Sequence, residues 1–154
     1  MLETITLQKS QDTITDLPIA AILLDPSASK ILISTHDTRT SSNHPLNHTI
    51  MNLLNSLPSL PDRPSEEQYY ASTYDVYITH EPCLMCCMAL IHSRIRRLVF
   101  WRKMPKTGGS KIGWMKVEED EGCSLNHRFM CFEGISGGLG KAIEVGEIDD
   151  DVYV

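Results

Sequence analysis

The stretch from residue 74 to residue 101 constrains the fold more than any other part of the chain. It begins with YDVYIT, which alternates and is rich in β-forming residues, so it predicts a strand. The next segment, EPCLMCCMALIHS, predicts a helix, because it is apolar to about His92. Pro82 suits the start of this helix, where the missing N–H of a proline costs nothing. RRLVFW then predicts another strand, and two strands joined by a helix form a parallel pair. The sequence therefore predicts an α/β fold.

The flanking segments add a hairpin and a second helix. PIAAILLD and KILIST are short apolar runs separated by the turn signal Asp25-Pro26-Ser27, so they predict two paired strands. LNHTIMNLLNSL has apolar residues on one helical face, and the prolines that begin at Pro58 end it. LNHRFMCFEGI predicts a last strand or helix, which completes a mixed sheet flanked by helices.

The predicted organisation is a single domain over residues 1–154. Within it, residues 1–17 would be the remnant of an N-terminal helix or a linker, and residues 136–154 an irregular acidic tail.

Composition and charge narrow the class of protein. No apolar run approaches the ~20 residues of a membrane-spanning helix, and the N-terminus lacks the pattern of a secretory signal. We therefore expect a cytoplasmic or nuclear protein. The formal net charge of −6 argues against a free-standing nucleic-acid binder. However, one segment is strongly basic: HSRIRRLVFWRKMPKTGGSK. It would form either a basic surface that contacts the phosphates of a nucleic acid or a solvated loop whose charges are balanced elsewhere.

Five cysteines are present, and their odd number and tight clustering oppose a disulfide framework in a chain without a secretion signal. A metal explains the cluster better. Cys83 and Cys86 form a C-x-x-C pair at a predicted helix start, where the helix dipole favours thiolates. We expect the remaining three to be free thiols, since they lack metal-ligand spacing: Cys87, Cys123 and Cys131.

A third ligand is available at His48, at the start of the first long helix. One imidazole and two thiolates suit Zn²⁺ and leave a fourth position open. The order of His48 and Pro82-Cys83-Leu84-Met85-Cys86 matches the H-x-E and P-C-x-x-C signature of zinc-dependent deaminases.

The chain departs from that signature at one decisive position. In active deaminases the residue two after the histidine is a glutamate that carries protons during the reaction, whereas here it is Ile50. Glu81 is the nearest carboxylate in sequence, but catalysis tolerates little misplacement, so we expect it to shape the entrance to the site instead. The zinc would then be structural. Its fourth ligand would be a trapped water, another side chain or the carboxylate of Val154. The alternative for the acidic tail that ends at Val154 is that it is disordered and binds no metal.

Three blocks of the sequence resemble one family: HPLNHTIM, YDVYITHEPCLMCCMALIHSRIRRLVF and LNHRFMCFEGI. They are similar to the non-catalytic subunits of the eukaryotic tRNA-specific adenosine deaminase, over about residues 18–135. That family carries a hydrophobic residue in place of the catalytic glutamate, as Ile50 does here.

The resemblance implies a cytidine-deaminase-like three-layer α/β/α sandwich with a mixed central sheet. It implies Zn²⁺ as cofactor, a catalytic deaminase subunit as partner in a heterodimer, and joint conversion of wobble adenosine to inosine in tRNA. This chain would support its partner's active fold and help to position the tRNA. Larger members carry an N-terminal tRNA-binding domain, for which we expect no room before the first strand near residue 18.

Two further groups are candidates for contacts with the partner or with RNA: Arg94, Arg96 and Arg97, and Asn126, His127 and Arg128. The alternative for the latter group is hydrogen bonding in the core. On the helix after the cysteines, we expect some residues to lie at the interface and others in the core: Met85, Met88, Leu90 and Ile91.

Two other functions compete with the silent subunit. A self-sufficient deaminase with an unorthodox acid/base would turn over substrate alone, and Ile50 argues against it. A stand-alone, zinc-stabilised RNA-binding or scaffold module would behave as a stable monomer or homodimer.

Overall fold

The computed structural model describes residues 16–60, 70–110 and 127–134. In chain order the elements are β1 (Ala20–Asp25), β2 (Lys30–His36), α1 (Thr49–Ser56) followed by a 3-10 turn (Leu57–Ser59), β3 (Asp75–His80), α2 (Leu84–His92), β4 (Arg97–Arg102) and β5 (Met130–Glu133). The strands form one sheet in the order β2-β1-β3-β4-β5. Apart from Asp16 and Leu17, the predicted N-terminal segment and the acidic tail lie outside the described residues.

The predicted hairpin of β1 and β2 is confirmed, and its turn is fixed by one carboxylate. Asp25 Oδ1 accepts hydrogen bonds from the backbone N–H of Ser27 (2.8 Å) and from its hydroxyl (2.6 Å). These bonds replace ladder bonds that the chain loses as it reverses direction. β1 pairs antiparallel with both β2 and β3, which places it inside the sheet.

The predicted strand–helix–strand unit is also confirmed. β3 and β4 pair in parallel, with Val76 opposite Leu98 and Ile78 opposite Phe100. β5 continues the parallel pairing on the far side of β4, so LNHRFMCFEGI supplies a strand and not a helix. The crossover is therefore α2, and the loop at its start lies at the carboxyl end of β3.

Both helices pack on the same face of the sheet. Ile50 and Leu53 of α1 and Leu90 of α2 share one buried cluster with sheet residues such as Val76 and Leu98. Burying these side chains is worth roughly 1.5–3 kcal/mol each, so the core holds the N-terminal ends of the two helices together. The second helical layer of the predicted three-layer sandwich is not among residues 16–60, 70–110 and 127–134. Within them, no helix is long and apolar enough to cross a membrane.

A buried carboxylate anchors the start of β4. Asp75 is fully buried and accepts hydrogen bonds from Arg96 Nη2 (2.8 Å) and Arg97 Nη2 (2.6 Å). Burial alone would raise the pKa of Asp75, but the hydrogen bonds from the two guanidinium groups hold it below its ordinary value of 3.8. Two of the predicted RNA-contact arginines thus also serve the fold, with more than a third of each side chain still exposed.

We expect Asp75→Asn to lower the free energy of unfolding at neutral pH by about 2–3 kcal/mol, the value of charged hydrogen bonds in a buried pair. The pKa of Asp75 is lower in the folded chain than in the unfolded chain. The ionised carboxylate therefore stabilises the fold at pH values above its pKa in the unfolded chain, and this stabilisation is lost as the pH falls through its pKa in the folded chain. Urea unfolding between pH 7 and pH 3 should therefore show a steeper loss for the wild type than for the variant. Equal slopes would contradict this account, and Glu133→Gln, at an exposed carboxylate, serves as the control.

Candidate metal centre

Three predicted ligands converge where the two helices begin. His48 and Cys83 are the residues immediately before α1 and α2, and both have the extended backbone that aims a side chain inward from a helix start. Cys86 lies three residues further on, so its sulfur is on the same side of α2 as that of Cys83. The ligand atoms of all three lie within 4.8 Å of one another, the one such cluster among the described residues.

The spacing fits a tetrahedral ion. His48 Nδ1 is 3.7 Å from the Sγ of Cys83 and 3.7 Å from that of Cys86. Zn–S and Zn–N bonds of about 2.3 and 2.0–2.1 Å at tetrahedral angles separate the two donor atoms by about 3.6 Å. The three side chains could therefore hold a zinc ion with little rearrangement.

The thiols are already polarised for such a role. The pKa of Cys83 is lowered to about 4, because the Cys86 thiol and then the His48 ring hydrogen-bond its sulfur. The pKa of Cys86 is raised, because its proton is shared with Cys83 and because it is buried. Two thiolate ligands carry no protons, so binding a dication here would release any proton that the pair holds.

Ile50 lines a small cavity beside the three ligands. The cavity measures about 10 Å³ and is also bounded by Ile19, Asp37, His48 and Cys86. That volume holds about one water molecule. Ile50 is 1% exposed, so its side chain occupies the space where an active deaminase would place a carboxylate. The ligand set is thus retained beside a small cavity that Ile50 lines in place of the glutamate of an active deaminase.

One polar pair at this cavity was not anticipated from the sequence. Asp37 lines the cavity and is 1% exposed. Both of its carboxylate oxygens accept from Arg39 Nε, at 3.1 Å each. The Arg39 charge in turn acts to lower the pKa of Cys86. The available signal was a carboxylate two residues after the predicted strand KILIST and two residues before an arginine.

Glu81 does not shape the entrance to the cavity, contrary to expectation. It is 2% exposed, and its carboxylate accepts the backbone N–H groups of Met104 (2.9 Å) and Ser110 (3.2 Å) and the Ser110 hydroxyl. These bonds occupy both oxygens, so the carboxylate belongs to the loop after β4 and is not a substitute for the missing glutamate.

The other predicted residues take separate positions. Arg94, just after α2, and Arg128 are exposed, and His127 Nε2 hydrogen-bonds the Ile95 carbonyl at 2.8 Å. His127 thus makes a hydrogen bond within the fold, which was the alternative to a partner or RNA contact predicted for residues 126–128. No contact with RNA or a partner is described, so those roles stay predictions. Asn126, Cys123 and Val154 lie outside the described residues.

Helix α2 is divided between core and surface, as expected. Leu90 is completely buried, Met85 and Ile91 pack partly buried against the core, and Met88 is 58% exposed. Leu84, one turn before Met88, is 46% exposed and was not singled out by its sequence. Cys87 is free and buried, and burial raises its pKa. Cys131 is also free, and burial raises its pKa to about 11.

Fold and site together define a deaminase-type domain, and comparison with known families agrees. The profile of the cytidine and deoxycytidylate deaminase zinc-binding region matches residues 1–102, and that of the MafB19-like deaminases matches residues 65–144. Because the first match covers well over half of the chain, the chain belongs to the cytidine and deoxycytidylate deaminase family.

Within this family the chain is similar to subunits of the tRNA-specific adenosine deaminase. It is 35% identical to subunit tad3 of Schizosaccharomyces pombe over 130 residues, covering 77% of this chain and 39% of that protein. It is 35% identical to subunit TAD3 of Saccharomyces cerevisiae over 143 residues, covering 88% and 42%. The probable inactive tRNA-specific adenosine deaminase-like protein 3 of Danio rerio is 31% identical over 142 residues, covering 76% and 40%. The chain thus spans about two-fifths of the length of these relatives, and the predicted resemblance is confirmed.

Solved structures confirm the cytidine-deaminase-like fold. A structure from a study of A-to-I editing by tRNA deaminases at the wobble position has a TM-score of 0.64 at 21% identity, covering 83% of this chain and 92% of that chain. A guanine deaminase from Nitrosomonas europaea has a TM-score of 0.62 at 18% identity, covering 86% and 73%. At these identities the likeness concerns the fold alone.

Proposed function

We propose that this chain is a catalytically silent, zinc-binding subunit of a heterodimeric deaminase that converts wobble adenosine to inosine in tRNA. The observation that carries the proposal is the cluster of three ligands, His48, Cys83 and Cys86, beside a small cavity that Ile50 lines. Its similarity to the tad3 subunits supports the choice of substrate and partner.

The proposed lack of catalytic activity follows from the absence of a proton carrier at the site. Deamination needs a group that carries protons to the ring nitrogen and to the leaving ammonia. Ile50 has no such group, the Glu81 oxygens are bonded to the loop after β4, and Asp37 is paired with Arg39.

Zinc would then have a structural role. Held by His48, Cys83 and Cys86, it would supply a bond network that ties the start of α1 to the start of α2. The fourth ligand would be a water molecule, another side chain or the carboxylate of Val154.

The partner would dock on the exposed face of α2. Leu84 and Met88 lie one turn apart and expose 46% and 58% of their surface, which is unusual for large apolar side chains on one short helix. Exposed apolar pairs of this kind form the centre of many protein interfaces. Exposed Arg94 and Arg128 would then face tRNA on the complex.

We expect Met88→Glu to weaken the complex with a catalytic tRNA adenosine deaminase subunit at least about 30-fold, the effect of losing an interface hot spot of ~2 kcal/mol. The dissociation constant would be measured by titration calorimetry, with circular dichroism to check that the variant folds. Ala28→Glu is the control, since Ala28 is exposed in the turn between β1 and β2 and its substitution should leave binding unchanged.

If the wild-type chain forms no complex with such a subunit, the proposed partnership is wrong and the stand-alone module becomes the better account. If Met88→Glu instead binds the subunit as tightly as the wild type, the interface lies elsewhere than on α2.

A further inference from the structure

The loop after β4 rests directly on the turn that carries Cys83. The N–H of Gly109 donates to the Pro82 carbonyl at 2.8 Å, and Gly108 forms an isolated antiparallel bridge with Cys83. A Cβ at Gly109 would lie 2.5 Å from the Leu84 Cα, so only glycine allows the two backbones to approach this closely. The conformation of the Cys83 turn thus depends on where this loop lies.

Glu81 determines where the loop lies. Its carboxylate binds the loop at both ends, at the N–H of Met104 and at the N–H and hydroxyl of Ser110. Its own N–H donates to the Arg102 carbonyl at 2.7 Å, where β4 ends. A buried carboxylate is costly unless it is bonded in this way, so the loop and the carboxylate fix one another.

The geometry assigns Glu81 a role as a positioning residue for the metal centre: it holds the loop of residues 103–110 against Pro82–Leu84 and thereby presets the Cys83 sulfur for the ion. Glu81 touches none of the three ligand atoms and acts through the loop. The role rests on the proposed binding of zinc. Groups that orient metal ligands from outside typically change affinity about 10–100-fold when they are altered.

The test is zinc affinity of the purified, metal-free chain, measured by competition with a chromophoric chelator. We expect Glu81→Gln to raise the dissociation constant for zinc about 10–100-fold. The NH₂ group of the glutamine would face one of the backbone N–H groups that the carboxylate now binds, so two donors would oppose each other and the loop would shift. Ser110→Ala removes only one of these bonds and should give a smaller loss. Gly109→Ala leaves Glu81 untouched but pushes the loop off Leu84, so it should weaken binding as well. Glu133→Gln, at an exposed carboxylate, should bind zinc like the wild type.

A purely structural role would give a different pattern. Each variant would then melt earlier by the same amount with and without zinc, while the zinc dissociation constant stayed at the wild-type value; that result overturns the inference. The Co²⁺ absorption spectrum supplies a second readout, since a displaced Cys83 should change the thiolate-to-metal bands. If Glu81→Gln does not fold, Ser110→Ala and Gly109→Ala decide the question. A wild-type chain that binds no zinc would refute the proposed zinc site itself, and the inference with it.

Discussion

Cys86→Ser is expected to abolish tight zinc binding and to make the fold markedly less stable. The serine hydroxyl is a poor zinc ligand at neutral pH, so only His48 and Cys83 would remain. His48→Ala and Cys83→Ser should behave in the same way, because each leaves two ligands of three. An ion present at about 1,000 times its dissociation constant adds about 4 kcal/mol to stability. For a chain of this size the loss corresponds to a fall in melting temperature of roughly 10 °C.

A neighbouring cysteine supplies the matched control. Cys87 is also buried and on α2, yet it is not part of the ligand cluster. Cys87→Ser should therefore keep one zinc per chain by elemental analysis and should still lose stability when a strong chelator is added. The Cys86→Ser variant should contain no zinc and should melt at one temperature with or without the chelator. Full zinc content in Cys86→Ser, or a wild type that ignores the chelator, would contradict a structural zinc.

Much of this site could be predicted because its evidence is local in sequence. Cys83 and Cys86 are one helical turn apart, and Pro82 indicates a helix start, so their convergence follows from helix geometry. His48 could be added only because its order relative to the two cysteines matches a known signature. The structure brings all three together as expected.

The roles of the carboxylates could not be predicted, because each depends on partners far along the chain. Asp75 is bonded by arginines 21 and 22 residues later, which reach it only through the parallel pairing of β3 and β4. Glu81 is bonded to Ser110, 29 residues away. In the sequence, Glu81 was notable only as the carboxylate nearest to the predicted metal ligands. This proximity suggested a position at the entrance to the site, which is wrong.

The exposure of α2 was predictable only in part. Its sequence, LMCCMALIH, is apolar on every side, so periodicity cannot distinguish the buried Leu90 from the exposed Met88. Packing against α1 and the sheet decides that question. For the same reason the sequence did not indicate Leu84, although it is a large apolar side chain exposed at the start of the helix.

Loss of the acid/base group should leave this chain with no measurable deaminase activity of its own. General acid–base catalysis contributes about 10²–10⁴-fold to a rate, and Glu81 and Asp37 are both bonded to other groups. Ile50→Glu should not by itself create a strong deaminase, because we expect the positioning of the substrate to be lost as well. Activity should depend instead on adding a catalytic subunit.

Inosine formation on a tRNA with a wobble adenosine tests this central claim most directly. It would be measured for this chain alone, for a catalytic tRNA adenosine deaminase subunit alone, and for the two together, with the Met88→Glu variant as a further arm. The account predicts inosine from the mixture, far less from the catalytic subunit alone, none from this chain alone, and a reduced yield with Met88→Glu. Inosine formed by this chain alone would contradict it and would require another proton carrier near His48.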